Sequence, residues 1–331
     1  MKILVTGGAG YIGSEMVHQL IEHGDEVTVF DNLSGGHPEA LKNLKINFVE
    51  GDILDKNSLD RVFSEEKFDA VIHFAGVISM KESTENPFKY FQINTFGALN
   101  LVETMVKHKV LKLIFSSTAG VYGNPVKTPI NEDDPKNPTN PYGESKLTVE
   151  KILGWYDKTF GLRSISLRYF NAAGASLDGN FGEDHQDESH IIPLACKAAL
   201  QNREFTIYGN DYQTKDGTCI RDYVHIIDLC QAHLLALNAL ENNHLTDNFN
   251  VGPGIGYSNN EVINMVKKIS GVDFPVRYDQ RRPGDADELV ADSTKIKKDL
   301  GWEPKYSDLQ TIVESAWKWH QNHPEGYESR H

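Results

Sequence analysis

Two residues with complementary acid–base chemistry, Tyr142 and Lys146, stand four positions apart in the segment PYGESK. Pro141 precedes them and favours the first turn of a helix, so a helix is predicted to begin here. The spacing places both side chains on one face of that helix. An ammonium group beside a phenol, with a cationic cofactor ring nearby, favours the phenolate, so we expect the pKa of Tyr142 to fall and the residue to act as a general base. The same spacing is common on solvated helices that have no catalytic role. Its position after the apolar run LIFSST favours a catalytic pair here.

A third candidate, Thr118, ends that apolar run in the order Ser116, Ser117, Thr118. If the run is a strand of a parallel sheet, Thr118 lies at the carboxyl edge, where such sheets bind ligands. Its hydroxyl could bridge a substrate and Tyr142. A side-chain turn at the end of the strand is the alternative, and it would explain either serine equally well.

The N-terminal segment TGGAGYIG follows an apolar run and places glycines at Gly7, Gly10 and Gly13. Glycines let a backbone turn tightly and approach a pyrophosphate, whose charge is then met by the amides at a helix N-terminus. The same glycines could also form a turn that holds no ligand. Asp31, 18 residues after Gly13, could accept hydrogen bonds from ribose hydroxyls and would repel a 2′-phosphate, which favours NAD over NADP. Asp52 is a weaker candidate for the adenine edge, and a helix N-cap explains it equally well.

These residues need a scaffold, and the first half of the chain alternates apolar runs with helical patterns. The runs lie at 3–6, 26–31, 47–52, 70–76, 111–117 and 162–169. Continuous apolar strands between helices predict an α/β fold with a doubly wound parallel sheet of the Rossmann type. We expect residues 1–172 to form this NAD-binding domain. Residues 173–331, with long polar insertions, should form mainly a smaller mixed α/β substrate lobe, and the helix near 228–240 could pack back on the first domain.

Composition excludes several classes of protein. The 331 residues carry a formal net charge of −14 without a long basic run, which disfavours nucleic acid as a partner. Any phosphate site must therefore rely on local arginines or backbone amides. Three cysteines without paired spacing favour a reducing compartment, and no stretch reaches membrane-spanning length. We therefore expect a cytoplasmic protein with no membrane partner.

Together these motifs resemble the extended, nucleotide-sugar-modifying branch of the short-chain dehydrogenase superfamily. The segments concerned are TGGAGYIG, HFAG, SST before VYG, NPYGESK and LRYFNAAGA. The stretches GNDYQTKDGTCIRDYVHIIDL and RRPGD, LGW and the closing WKWHQNHPEGY are similar to the UDP-glucose 4-epimerase family in particular. The resemblance extends to about residue 327. It implies an NAD-dependent isomerase that interconverts UDP-glucose and UDP-galactose through a 4-keto intermediate in galactose metabolism, and a homodimer.

The resemblance also assigns residues. Tyr142 would be the base, assisted by Lys146 and Thr118. The expected NAD contacts are Gly7, Gly10, Tyr11, Ile12, Gly13, Asp31, Asn32, Asp52, Ile53, Phe74, Ala75, Gly76, Asn94, Tyr142, Lys146 and Phe170. The expected UDP-sugar contacts are Thr118, Tyr142, Tyr169, Asn171, His190, Ile191, Tyr208, Arg221, Arg282, Asp285 and Leu289. The two arginines would hold the diphosphate, and Tyr208 would offer its ring to the uracil.

Three positions depart from many relatives. Thr118 stands where many have Ser, and Ile78 where some have Lys. Leu289 stands where several have Tyr or Cys, at a position that limits the room around the sugar C2 substituent. Epimerisation of UDP-N-acetylglucosamine therefore remains an alternative activity.

Other functions on the same scaffold are weaker alternatives. In the 4,6-dehydratases Asp-Glu follows the Thr, whereas Ala119 and Gly120 follow it here. A UDP-glucuronate decarboxylase is less easily excluded, and a non-catalytic NAD sensor would not need both Tyr142 and Lys146. We expect no metal site: His185 and His190 have acidic neighbours, but a solvated acidic loop is the better explanation.

Overall fold

The computed structural model describes residues 1–282 and 284–327 of the chain. Its strands, labelled in chain order, are β1 Lys2–Thr6, β2 Glu26–Asp31, β3 Asn47–Glu50, β4 Ala70–His73, β5 Lys112–Thr118, β6 Arg163–Tyr169, β7 Asn171–Ala173, β8 Phe205–Tyr208, β9 Ile220–His225, β10 Asp247–Val251, β11 Gly256–Ser258, β12 Val276–Asp279 and β13 Glu288–Leu289.

The α-helices are α1 Tyr11–His23, α2 Lys56–Glu65, α3 Met80–Glu85, α4 Pro87–Tyr90, α5 Ala98–Lys107, α6 Pro141–Phe160, α7 Ile191–Gln201, α8 Ile226–Glu241, α9 Asn259–Ser270, α10 Thr294–Leu300 and α11 Leu309–Asn322. Two 3-10 helices span Pro38–Leu41 and Ala119–Tyr122, and a π-helix spans Phe91–Gly97. None of the helices in the described ranges is long and apolar enough to cross a membrane.

The large sheet has seven strands in the order β10-β6-β5-β4-β1-β2-β3, all parallel. The chain builds outwards from β1 to β3 and then crosses back to β4 on the other side. The strand order therefore reverses between β1 and β4, and the ends of neighbouring strands diverge there to leave a crevice at the carboxyl edge. The predicted doubly wound fold is confirmed.

Both faces of this sheet are buried, which explains the continuous apolar runs. Ile3 and Val5 face one core together with α1 and α8, whereas Leu4 faces a second core with α2, α5 and α6. Adjacent strand residues point to opposite faces, so a strand covered on both sides must be apolar at every position. The helix expected near 228–240 is α8, which packs against α1 in the same core as Ile3 and Val5.

The smaller lobe combines a mixed sheet around β9 with the parallel pair β8 and β12. Its core lies between these strands and α7, α9 and α11. The division of the chain at residue 172 stays a prediction, since the seventh strand of the large sheet, β10, and the helix α8 both come from beyond that residue.

Candidate active site

The glycine-rich loop between β1 and α1 lies at the reversal point of the sheet. Gly7 has a φ of +72°, and a Cβ there would lie 2.5 Å from the Ala75 nitrogen. A Cβ on Gly13 would lie 2.1 Å from the Gly7 carbonyl oxygen. Side chains are therefore excluded at both positions, and the loop lies close against the segment after β4. The free amides at the start of α1 border the same crevice, as an anion site requires.

Asp31 ends β2 beside this loop and supports it. One carboxylate oxygen accepts a hydrogen bond from the Ala9 amide at 2.9 Å, and the other accepts one from the Leu33 amide at 2.8 Å. Burial raises the pKa of Asp31, although both amides oppose the shift. Each oxygen keeps a second lone pair for a ribose hydroxyl.

The next two cofactor candidates, Asn32 and Asp52, contact each other. The Asn32 amide donates to the Asp52 carboxylate at 3.0 Å, and the Leu54 amide donates to the second oxygen of Asp52 at 2.8 Å. Ile53 is buried against Gly97. The structure thus gathers the residues expected around adenosine at the ends of β2 and β3.

The segment after β4 forms the other wall of the crevice. Asn94 holds this segment, because its side chain exchanges hydrogen bonds with the backbone of Val77 at 2.9 and 3.0 Å. A Cβ on Gly76 would lie 2.8 Å from the Asn94 Oδ1 and 3.5 Å from the Lys146 Nζ. Phe74 packs nearby against His233. The expected cofactor residues of this segment therefore lie beside Lys146.

Lys146 and Tyr142 lie in the first two turns of α6. Asn140 caps this helix by accepting a hydrogen bond from the Gly143 amide at 2.9 Å, with Pro141 in the first turn. The Lys146 ammonium is buried, donates to the Ser116 carbonyl at 3.0 Å and lies over the Phe115 ring. Burial lowers the pKa of Lys146 to about 8.

The expected fall in the pKa of Tyr142 requires a second nearby cation and stays a prediction, because the protein alone does not lower this pKa. Burial raises the pKa of Tyr142, and only the hydrogen bond with the Thr118 side chain opposes the shift. The Lys146 ammonium points to the Ser116 carbonyl instead of to the phenol. A phenol in this position becomes a usable base only when a further positive charge comes close to it.

Strand alternation decides which hydroxyl of Ser116, Ser117 and Thr118 faces the crevice. Ser117 points to the opposite face and donates to Glu150 at 2.6 Å. The Thr118 hydroxyl accepts a hydrogen bond from the Gly120 amide at 3.0 Å, so the side-chain turn considered from sequence is present, and Thr118 also reaches Tyr142. Ser116 shares that face, where its buried hydroxyl lies close to that of Tyr169.

Sequence reasoning missed Ser116 and Ser145 as parts of this site. The Asn94 amide donates to the Ser145 hydroxyl at 3.1 Å, which ties α6 to the wall after β4. The position of Ser145 between Tyr142 and Lys146 was the only signal available for it.

Residues expected around the sugar lie near the start of α6. Tyr169 ends β6, and burial raises the pKa of its hydroxyl, with the nearby Tyr142 adding to the shift. Asn171 donates to the Asp222 carbonyl at 3.1 Å. Leu289 and Phe170 pack against one apolar cluster that includes Ala119, Val121 and Leu147. These groups and Thr118 therefore share one corner of the crevice.

The residues expected at the diphosphate come from the smaller lobe. Arg221 donates to the carbonyls of Ile220 and Ala286, both at 2.9 Å, and lies 3.7 Å from the Asp285 carboxylate. The guanidinium carbon of Arg282 lies 4.3 Å from the centre of the Tyr208 ring, so one face of that ring is covered. Within the segment RRPGD, Pro283 lies outside the described residues.

The loop before α7 differs from the expected solvated acidic loop. Glu183 is buried and accepts hydrogen bonds from His185 and His190. Burial alone would raise the pKa of Glu183, but the two imidazoles outweigh it and lower the pKa. Burial alone would lower the pKa of His185, but Glu183 and Glu188 raise it to about 10. His190, expected at the substrate, is therefore part of a cluster, and Ile191 begins α7 next to it.

Comparison with known proteins agrees with this geometry. Residues 4–315 match the profile of the family described as GDP-mannose 4,6 dehydratase. The UDP-glucose 4-epimerase of Lacticaseibacillus casei is 49% identical over 331 residues, which is 100% of both chains. The chain belongs to the UDP-glucose 4-epimerase family. The dehydratase profile describes the wider family of these epimerases, and the resemblance inferred from the sequence is confirmed.

Solved structures of the epimerase family match the whole fold. A crystal structure of a UDP-glucose 4-epimerase has a TM-score of 0.96 and 46% identity, covering 99% of this chain and 100% of that one. The Bifidobacterium longum UDP-glucose 4-epimerase in complex with NAD+ and UDP has a TM-score of 0.93 and 36% identity, covering 99% of this chain and 100% of that one.

Proposed function

We propose that this protein interconverts UDP-glucose and UDP-galactose by NAD-dependent epimerisation at C4, with Tyr142 as the acid–base residue. The observation that carries the proposal is the buried Tyr142, in contact with Thr118 and one helical turn from the buried Lys146. All three lie beside the glycine-lined crevice where the strand order reverses.

The residues of the crevice fit NAD. Gly7, Gly13 and Gly76 allow the loop and the segment after β4 to pack closely where any Cβ would clash, and the first amides of α1 provide an anion site for a pyrophosphate. Asp31 disfavours a 2′-phosphate, so NAD fits better than NADP. Bound there, NAD would supply a hydride acceptor and donor, and its oxidised ring would supply positive charge next to Tyr142.

Within the site, Tyr142 removes the proton of the sugar 4-hydroxyl as C4 is oxidised, and returns a proton when C4 is reduced on the opposite face. Thr118 holds the phenol and the reacting hydroxyl together. The Lys146 ammonium adds positive charge to a region of low dielectric, where charge acts strongly. A 4-keto sugar is the intermediate, and the reaction has no net redox change.

Arg221 and Arg282 hold the diphosphate while the keto sugar rotates to present its opposite face. Guanidinium groups bind phosphate oxygens bidentately, and one at each side of the UDP would anchor it through the rotation. In the protein without substrate, the Asp285 carboxylate lies 3.7 Å from Arg221 and holds the guanidinium in place. An anchored UDP prevents escape of the ketone before it is reduced.

A second substrate is favoured by Leu289. This side chain packs with Phe170 at the corner that would surround the C2 substituent, and Leu is smaller than the Tyr found in several relatives. Room for an acetamido group would allow the chain to convert UDP-N-acetylglucosamine and UDP-N-acetylgalactosamine as well.

The test is incubation of the purified protein with UDP-galactose or UDP-N-acetylgalactosamine, without added reductant, followed by identification of the products. We expect Tyr142→Phe to lower kcat by about 10²- to 10⁴-fold, the usual contribution of an acid–base group. Tyr156→Phe is the matched control, because Tyr156 lies on the same helix and donates to the exposed Glu103. Full turnover by Tyr142→Phe would refute the assigned base, and no product from either sugar would refute the function.

We also propose that the protein is a homodimer joined through helices of the cofactor domain. Phe88, Phe96, Trp155 and Phe160 are large apolar side chains of this domain, and their exposed fractions are 73%, 50%, 67% and 48%. They belong to α4, the π-helix and α6, which pack against one another, and large exposed apolar side chains on neighbouring helices are typical of an interface between proteins. Light scattering of the purified protein would give the mass of two chains, and a monomer mass would refute the proposal.

A cytoplasmic location is proposed as well. Cys196, Cys219 and Cys230 are all buried and unpaired, which is typical of proteins from reducing compartments. Fractionation of cells that produce the protein tests the location.

A further inference from the structure

A cluster of four metal-ligating side chains lies outside the residues used for epimerisation, apart from His190. Glu183, His185, Glu188 and His190 all come from the loop between β7 and α7. One ligand atom from each lies within 4.8 Å of all the others. The sequence places these residues at irregular spacing, so only the fold of the loop brings them together.

Two of the distances within the cluster are close to those between the ligands of one tetrahedral ion. The Nδ1 of His185 lies 3.1 Å from the Glu183 Oε1 and 3.5 Å from the Glu188 Oε2. The Nδ1 of His190 lies 3.6 Å from the other Glu188 oxygen, Oε1, and the four ligand atoms all lie within 4.8 Å of one another. Ligands around zinc, with bonds of about 2.0–2.1 Å, stand roughly 3.3–3.4 Å apart. His190 and Glu183 are directly hydrogen-bonded, and an ion would replace that bond.

One oxygen of Glu188 points into the cluster towards His185. The Glu188 side chain is only 4% exposed, and its buried Oε2 lies 3.5 Å from the His185 Nδ1, without a well-formed hydrogen bond. Its other oxygen accepts hydrogen bonds from the amides of Ser189 and His190 at 2.7 and 2.8 Å. Those amides orient the carboxylate so that Oε2 faces the imidazoles, as outer partners do in metal sites.

Charge favours a cation at this position. Glu183 and Glu188 are buried carboxylates, and the described structure pairs neither of them with a lysine or arginine. Buried carboxylates require a nearby positive charge, which comes either from two protonated imidazoles or from a divalent ion with both imidazoles neutral. Two imidazole nitrogens and two carboxylate oxygens are a ligand set that suits zinc.

We propose that Glu183, His185, Glu188 and His190 form a binding site for one zinc ion, with a structural role. The loop that carries them covers the start of α1: the His185 ring meets the Tyr11 ring edge-on, and the Tyr11 hydroxyl donates to the Gly174 carbonyl at 2.5 Å. An ion at this point fixes the loop over the dinucleotide crevice and sets the start of α7. The proposal does not depend on epimerase activity, because its readouts are binding and thermal stability.

The experiment uses the full chain after treatment with a chelator and dialysis. Titration with zinc chloride should give one zinc per chain by elemental analysis and a higher melting temperature. Cobalt chloride should give the intense visible absorption of a tetrahedral Co²⁺ site. Glu188→Gln, nearly the same shape without the charge, should bind zinc more than about tenfold more weakly. Asp187→Asn is the matched control, since Asp187 is exposed in the same loop and outside the cluster.

Several outcomes would overturn the proposal. The chelator-treated wild type could bind less than half a zinc per chain at micromolar free zinc. The four residues would then form a network of ion pairs and no metal site. Cobalt could give only the weak spectrum of a six-coordinate ion, or Glu188→Gln could bind zinc as tightly as Asp187→Asn does. If Glu188→Gln does not fold, the stoichiometry and the cobalt spectrum of the wild type decide the question alone.

Discussion

Replacement of Gly13 by alanine tests whether close contact between Gly13 and the backbone of Gly7 and Gly8 fixes the conformation of the glycine loop. A Cβ at this position would lie 2.1 Å from the Gly7 carbonyl oxygen and 2.9 Å from the Gly8 Cα, both backbone atoms. Carbon–oxygen contacts rarely fall below about 3.3 Å, so the loop must move by roughly 1 Å. Such overpacking costs about 1–3 kcal/mol, and up to about 1 kcal/mol is offset by the helix propensity of alanine. We expect the variant to lose about 1–2 kcal/mol of stability.

The displaced carbonyl and the start of α1 border the proposed pyrophosphate site, so NAD binding should suffer as well. A shift of roughly 1 Å misaligns the amides of α1, and we expect NAD affinity to fall at least about tenfold, or about 1.4 kcal/mol. Urea unfolding of the protein alone measures the stability, and calorimetric titration with NAD measures the affinity.

Gly154→Ala is the matched control, because a Cβ on Gly154 would meet no atom within 4 Å and the residue lies inside α6. This variant should gain up to about 1 kcal/mol and keep its NAD affinity. The reasoning is refuted if Gly13→Ala is as stable as Gly154→Ala, or if it binds NAD as tightly as the wild type.

Three other predictions concern buried charge and the sugar corner. Burial lowers the pKa of Lys146 to about 8, which shows that the buried ammonium destabilises the fold. Lys146→Met should therefore raise the free energy of unfolding of the ligand-free protein at pH 7 by about 1–3 kcal/mol in urea, although turnover should fall. A lower free energy of unfolding would contradict this. Burial raises the pKa of Asp222 to about 7 from 3.8, so the native state keeps a proton that the unfolded chain releases. The contribution of Asp222 to the free energy of unfolding should therefore fall as pH rises from about 4 to 7, and Asp222→Asn should remove that contribution, up to about 1.4 kcal/mol per pH unit; an identical pH dependence for variant and wild type in urea unfolding would contradict this. Leu289→Tyr should lower kcat/KM for UDP-N-acetylgalactosamine relative to UDP-galactose by about 10- to 200-fold, since the ring removes the room at C2; equal effects on both sugars in product assays would exclude a gating role.

Most strands of the large sheet could be predicted from sequence because they contain continuous apolar runs. Runs such as those containing Ile3 and Leu113 are buried on both faces, and only a strand between two layers of helices requires that pattern. The seventh strand, β10, was not predicted, because DNFNV carries polar residues that pair with neighbours across the molecule. One of these is Asn250, whose side chain contacts the Tyr122 hydroxyl at 2.7 Å.

The candidate site, too, was predictable from sequence only in part. Local spacing was enough to propose Tyr142 with Lys146 and the three glycines, because a helical turn and a tight loop are set by neighbours in sequence. The pKa of Tyr142 could not be predicted, since it depends on burial and on where the Lys146 ammonium points. Both are properties of the packed molecule.

The amino-acid sequence by itself therefore determined the family, the parallel sheet, and the acid–base pair on one face of a helix, because each is carried by residue type and short-range spacing. Only the tertiary structure decided which hydroxyl of the SST segment meets the phenol. Only the tertiary structure brought together two histidines and two glutamates before α7. Side-chain direction and the meeting of irregularly spaced residues depend on how the chain folds back on itself, which no local pattern specifies.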